Sequence, residues 1–221
     1  MSASAAIGRI VDHVEGELCA FYGFLPRARA SEHLISDAWI AEAARFNLFR
    51  LDHPNERGGV YLTSESVEDE LYIGIHLAQS VTVPLTRHDP ICSLSDTNLD
   101  EFWVLVEEVS HFHLIINRAS VGRPVSKLEL EFQAEIDKVI ISAIFLRTQV
   151  GDCHLLPLVR KLFDQARIVS NDYELYWKAT RHAARFWFHQ LQTEPQLTER
   201  LQEILRRRYD AIMQEKLLDS A

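Results

Sequence analysis

Between Leu99 and Ile116 the chain carries a stretch that only a buried helix accommodates. Leu99, Phe102, Trp103, Val106, Val109 and His113 recur at helical spacing on one face. The second half, Val109-Ser110-His111-Phe112-His113-Leu114-Ile115-Ile116, is apolar on nearly every side. A helix apolar all round belongs at the centre of a protein, because no face of it gains from contact with water. Other elements must wrap it. With 221 residues, 47% of them hydrophobic and 25% charged, the chain has the material for one core, so a single globular domain over 1–221 is expected.

The wrapping elements are mostly helices. Ile7, Ile10, Val11, Val14, Leu18, Phe21 and Tyr22 predict a first helix that stops before Pro26, and Leu34, Ile35, Ala38, Trp39, Ala41 and Ala44 predict a second over 31–46. The texture then turns to β-formers at Phe49–Leu51, Val60–Thr63 and Leu71–Leu77, separated by turn-rich Pro54–Gly59 and Ser64–Glu70. These predict a small antiparallel β-hairpin or meander near residues 46–78. Residues 80–96, with Pro84 and Pro90, read as a connecting loop with room for an edge strand at Val81–Leu85.

After the central helix, Ser126-Lys127-Leu128-Glu129 has capping-box spacing and opens a helix through Leu146. Further helices follow over 152–168, from an Asn171 or Asp172 cap to Leu191, and from Thr193 onward through Leu197, Leu201, Ile204, Leu205, Ile212 and Met213. The fold class expected is α+β, predominantly α-helical, with about six helices packed on the small sheet. No internal repeat or low-complexity linker interrupts it.

Charge and cysteine usage narrow the setting. A net charge of −9 repels nucleic-acid phosphates and anionic lipid, so nucleic acid is an unfavourable partner. The triplet Arg206-Arg207-Arg208 is expected to be a solvated face paired with Glu199, Glu203 or Asp210. Arg9, Asp12, Glu15 and Glu17 interrupt any secretory leader at the start, and no later run reaches the length of a membrane span. Cys19, Cys92 and Cys153 form no C-x-x-C pair. A cytoplasmic protein with free thiols is the expectation.

The chemistry concentrates on the central helix, at Glu107-Glu108-Val109-Ser110-His111. In one reading Glu107 and His111, one turn apart, ligate a metal while Glu108 serves as general base, a variant of H-E-x-x-H with Glu first. In the other, Glu108 and His111 form the Glu-x-x-His pair of di-iron and di-manganese bundles, which needs a second such pair that the chain lacks. Glu131 and Glu135, also one turn apart, repel each other unless a cation lies between them, a metal or Arg181 or Arg185. His182 lies on the apolar side of its helix and completes the candidate ligands. The alternative for this set is structural: Glu107 and Glu108 bonded to Arg or Lys of neighbouring helices, with His111 and His113 as core histidines.

No phosphate-cradling glycine loop or G-x-S-x-G elbow is present, so nucleotide-cradling and serine-hydrolase chemistries are set aside. Trp177 and Phe188 lie away from the apolar stripe of an unusually aromatic helix, which makes them candidate partner contacts. Two functions are expected from this. One is a protein-interaction or regulatory protein that binds another chain or itself through Trp177, Phe188 and the last helix. The other is a metal-dependent enzyme holding zinc, iron or manganese on Glu107, Glu108, His111, Glu131, Glu135 and His182.

Overall fold

In the computed structural model, which describes residues 3–45, 57–64, 71–164 and 173–211, the first apolar stripe forms helix α1 (Ala3–Tyr22). Ile10, Val11, Val14 and Leu18 are buried along it. Gly23 ends it at φ 77°, a left-handed conformation that costs a glycine little, and the Gly23 and Phe24 amides both return to the Cys19 carbonyl.

The single helix expected over 31–46 is instead a 3-10 turn (Ala30–His33), a two-residue strand β1 (Leu34–Ile35) and helix α2 (Asp37–Arg45). The cause is non-local: Leu34 and Ile35 pair in parallel with Ile75 and His76, a sheet edge that local periodicity cannot register. Strands β2 (Gly58–Ser64) and β3 (Leu71–Leu77) make the expected antiparallel pair, with Val60 opposite Ile75. The sheet is therefore mixed, in the order β1-β3-β2, rather than a purely antiparallel hairpin or meander. The segment Phe49–Leu51 lies outside the described residues, as do 65–70 of the expected turn.

Among the described residues there are eight α-helices where about six were expected. The instructive addition is α3 (Gln79–Arg87), in the stretch read as a loop or edge strand. Its β-branched residues and Pro84 disfavour a helix locally. Burial overrides them: Val81 and Leu85, one turn apart, are both fully buried, and the helix packs on α1 and on the central helix α4 (Leu99–Ser120). α4 also covers β2 and β3, as its all-round apolarity requires.

Helix α5 (Lys127–Val150) starts where predicted, the Ser126 hydroxyl accepting a hydrogen bond from the Glu129 amide at 3.2 Å. It is followed by α6 (Leu155–Asp164), α7 (Tyr173–Gln190) and α8 (Glu199–Asp210). The expected α7 caps Asn171 and Asp172, and Ile212 and Met213 beyond α8, lie outside the described residues. α8 begins later than expected because Thr198, not Thr193, caps it, accepting from the Leu201 amide. The arginine triplet is not one solvated face. Arg207 pairs with Glu203 at the surface, but Arg206 donates to the carbonyls of Phe21 and Ala20 at the end of α1, and Arg208 is buried over the Phe186 and Phe132 rings. Among the described residues no helix is long and apolar enough to cross a membrane.

α4 and α5 run antiparallel and meet through a ladder of buried polar pairs. Trp103 donates to Ser142, Glu107 meets Lys138, Ser110 donates to Asp137, and Arg118 donates to Glu129, residue numbers rising on one helix as they fall on the other. The Asp137 rung is saturated: its carboxylate accepts from Tyr22 at 2.5 Å, Ser110 at 2.6 Å and Gln133 at 3.0 Å. Removing that carboxylate leaves the buried Tyr22 and Ser110 hydroxyls without their acceptor and takes one of its acceptors from Gln133. Asp137→Ala is expected to destabilise the protein by roughly 3 kcal/mol or more, read from the urea midpoint; a loss under about 1 kcal/mol would mean that the donors find other partners.

Candidate metal centre

Interleaved in sequence with the Asp137 rung lies a second polar cluster of different character. On α4, Glu107 and His111 stand one turn apart, with Glu108 beside them; on α5, Glu131, Glu135 and Lys138 share one face. The antiparallel packing brings one ligand atom each of Glu107, His111 and Glu131 within 4.8 Å of one another. Donors ~2.1 Å from a tetrahedral ion stand ~3.4 Å apart, so binding asks for a side-chain closure of up to ~1.4 Å.

The hydrogen bonding is incomplete where the Asp137 rung is complete. His111 is 7% exposed, and its Nε2 lies 3.8 Å from Glu131 Oε1, while its Nδ1 lies 3.7 Å from Glu108 Oε2. Both separations exceed hydrogen-bond reach, and a charged imidazolium among carboxylates would sit at ~2.7–2.9 Å. Among the described residues His111 Nε2, Glu108 Oε2 and Glu135 Oε2 are buried without a hydrogen-bond partner. Such orphans cost about 1–3 kcal/mol each, which a bound cation would offset.

Lys138 is the cation that the chain itself supplies. Its buried Nζ lies 2.6 Å from Glu107 Oε2 and 2.9 Å from Glu135 Oε1. The partner of Glu135 is thus a lysine three residues on, not Arg181 or Arg185, and Glu131 faces His111; Arg181 stacks on Trp177 at the surface. Burial works against charge throughout the cluster. It would lift the Glu107 carboxyl, but Lys138 and then His111 hold it below the usual carboxylate range. Glu108 and Glu131 lack so close a cation, and burial pushes both upward. For His111 burial favours the neutral form, yet Glu131 and then Glu108 carry its pKa up to about 9. The cluster thus sets four carboxyls, Glu107, Glu108, Glu131 and Glu135, around two basic side chains, Lys138 and His111.

Neighbouring elements close the site. Tyr176 of α7 stands beside Glu131, its phenol pushed upward by burial and by that carboxylate. Tyr61 of β2 is pushed up to about 12 by burial and then by Glu108. His182 takes no part in the three-ligand cluster; burial and then Arg185, Arg181 and Arg208 lower its pKa, and arginines are poor company for a metal. His113 is a satisfied core histidine, 2.9 Å from Glu15 Oε1. Trp177 and Phe188 are 40% and 39% exposed on α7. Lys138, Tyr176 and Tyr61 were missed from sequence. Only Lys138 carried a signal there, a lone cation one turn after Glu135 on a helix about to be buried.

No protein-family model, curated protein or solved structure matches this chain.

Glu108 is held from above by β2. A Cβ on Gly58 would lie 2.8 Å from Glu108 Oε1 and 3.1 Å from both Glu108 Cγ and Val104 Cγ1, so no larger residue fits without moving that carboxylate. Gly58→Ala is expected to destabilise by about 1–2 kcal/mol in thermal or urea unfolding, with secondary structure retained by circular dichroism. An unchanged midpoint would show that the strand and Glu108 can separate at no cost.

Proposed function

We propose that this chain is a divalent-metal protein with an enzymatic centre, in which Glu107 and His111 of α4 and Glu131 of α5 bind the ion and Glu108 acts as general base. The observation that carries this reading is the pair of buried orphans, His111 Nε2 and Glu108 Oε2, at a three-ligand cluster with an excess of carboxylates. A donor set of two carboxylates and one imidazole suits zinc, iron or manganese, and three protein ligands leave a coordination position for water. The ion would acidify that water, and Glu108 would take its proton, generating a hydroxide nucleophile for an electrophilic carbonyl or phosphoryl group. The fit is to the first of the sequence readings, with Glu131 as the third ligand it lacked; a Glu-x-x-His pair for a di-iron centre occurs once in the chain.

The test is elemental analysis of protein purified after growth in metal-supplemented medium. About one equivalent of zinc, iron or manganese is expected, with at least a tenfold loss of affinity in His111→Ala. Metal-free protein, or a His111→Ala variant that keeps its metal, would remove the reading.

A second reading rests on a separate observation. Among the described residues Trp177 and Phe188 are the exposed large aromatics of α7 and, eleven residues apart on one helix, fall on one line along it, with Arg181 stacked on Trp177 between them. Two aromatics and an arginine are the side chains most enriched at the centre of protein interfaces. This supports association with another chain or a second copy through α7. Light scattering after size exclusion is expected to show the double variant Trp177→Asp, Phe188→Asp at lower mass than the parent protein, with the metal content unchanged. Identical masses, both monomeric, would retire self-association.

A further inference from the structure

We infer, building on the metal reading above, that the centre is restricted to one divalent cation and that Lys138 is the residue that imposes this number. Glu107 stands between two cation positions. On one side it joins His111 and Glu131 in the three-ligand cluster. On the other it shares the Lys138 ammonium with Glu135, at 2.6 Å and 2.9 Å.

The second position shares a carboxylate with the first, as the two positions of a dinuclear site do. One carboxylate, Glu107, faces both positions, and Glu135 serves the second alone; two-metal centres place their ions ~3.5–4 Å apart across such shared ligands. What differs is the occupant: a tethered ammonium with a single charge, buried at 7% exposure. An ammonium at contact distance from both carboxylates excludes a second ion by volume and by charge repulsion. The charge count agrees. Glu107, Glu108, Glu131 and Glu135 against Lys138 and one divalent ion leave a single net negative charge, with His111 neutral as a ligand. A second ion beside an intact Lys138 would leave net positive charge in a buried site, which solvation cannot relieve. The other oxygen of Glu135, Oε2, is buried without a partner among the described residues, so the second position retains a donor that Lys138 does not use.

Lys138→Ala in the full chain, loaded with Mn2+ and freed of excess by gel filtration, is expected to carry about two equivalents of manganese against about one in the parent protein. Its low-temperature paramagnetic resonance spectrum should change from that of an isolated ion to that of a coupled pair. Adding Glu135→Gln to Lys138→Ala, which removes the second position's own carboxylate, should return the count to about one. A parent protein that binds one ion while a folded Lys138→Ala variant also binds one overturns the inference and leaves the metal reading standing. A parent protein that binds two overturns it as well. No binding by either protein would be the failure of the metal reading itself, and this inference falls with it. Should Lys138→Ala not fold alone, refolding in excess Mn2+ decides the matter. Recovery of structure with two bound ions supports the role of Lys138, and failure of both Lys138→Ala and Lys138→Ser to refold with metal counts against it, because a second ion would replace the lost charge.

Discussion

The antiparallel contact between α4 and α5 governs the rest of the molecule. Two helices of 22 and 24 residues lie along one another, and both are buried over most of their length, so neither can turn its polar side chains to water. Every charge on the seam must find its partner across it or beside it. That demand sets the register: Trp103 with Ser142, Ser110 with Asp137 and Arg118 with Glu129 are satisfied together only in one alignment. A slide of one turn would leave all of them unpaired. The sheet, α1 and α3 then cover the faces of α4 that α5 leaves open, and α7 covers α5.

On that seam the same helix carries a complete polar cluster and an incomplete one. Asp137 receives hydrogen bonds from three side chains and behaves as a structural acid, orienting Tyr22, Ser110 and Gln133. His111 is buried too, but stands 3.7 Å from Glu108 and 3.8 Å from Glu131. Packing that satisfies one set within hydrogen-bond tolerance and leaves its neighbour loose by most of an ångström is a difference within a single rigid contact. A site for a small cation has this form, since ligands that must meet an ion cannot also be fully committed to each other.

Helix α7 joins the inside of the protein to its outside. Tyr176 reaches toward Glu131 while Trp177, the next residue, faces solvent under Arg181. Ala183, Phe186 and Trp187 bury the other side against the core. A partner seated on Trp177 and Phe188 would therefore touch the helix that closes the cluster, and the two proposed functions share one element.

Much of this was legible in the sequence, and for a common reason: it depends on period and chemistry within one element. Burial of α4, the buried stripe of α1 and the Ser126 cap follow from apolar spacing and a hydroxyl at the right position. The pairing of β2 with β3 follows from β-former runs between turns. Glu107 and His111 share a helix face by spacing alone. What required the tertiary structure is whatever joins residues distant in sequence. β1 exists because β3 offers it an edge, and α3 because α1 and α4 bury Val81 and Leu85 despite Pro84. Arg206 and Arg208 looked alike in the triplet until one capped α1 and the other lay over two phenylalanines. Glu131 could not be chosen over His182 as the proposed third ligand, nor Lys138 over an arginine as the counter-ion of Glu135, until the register of α4 on α5 was known. Helical periodicity determines which residues share a face; only the packing of one helix on another determines which faces meet.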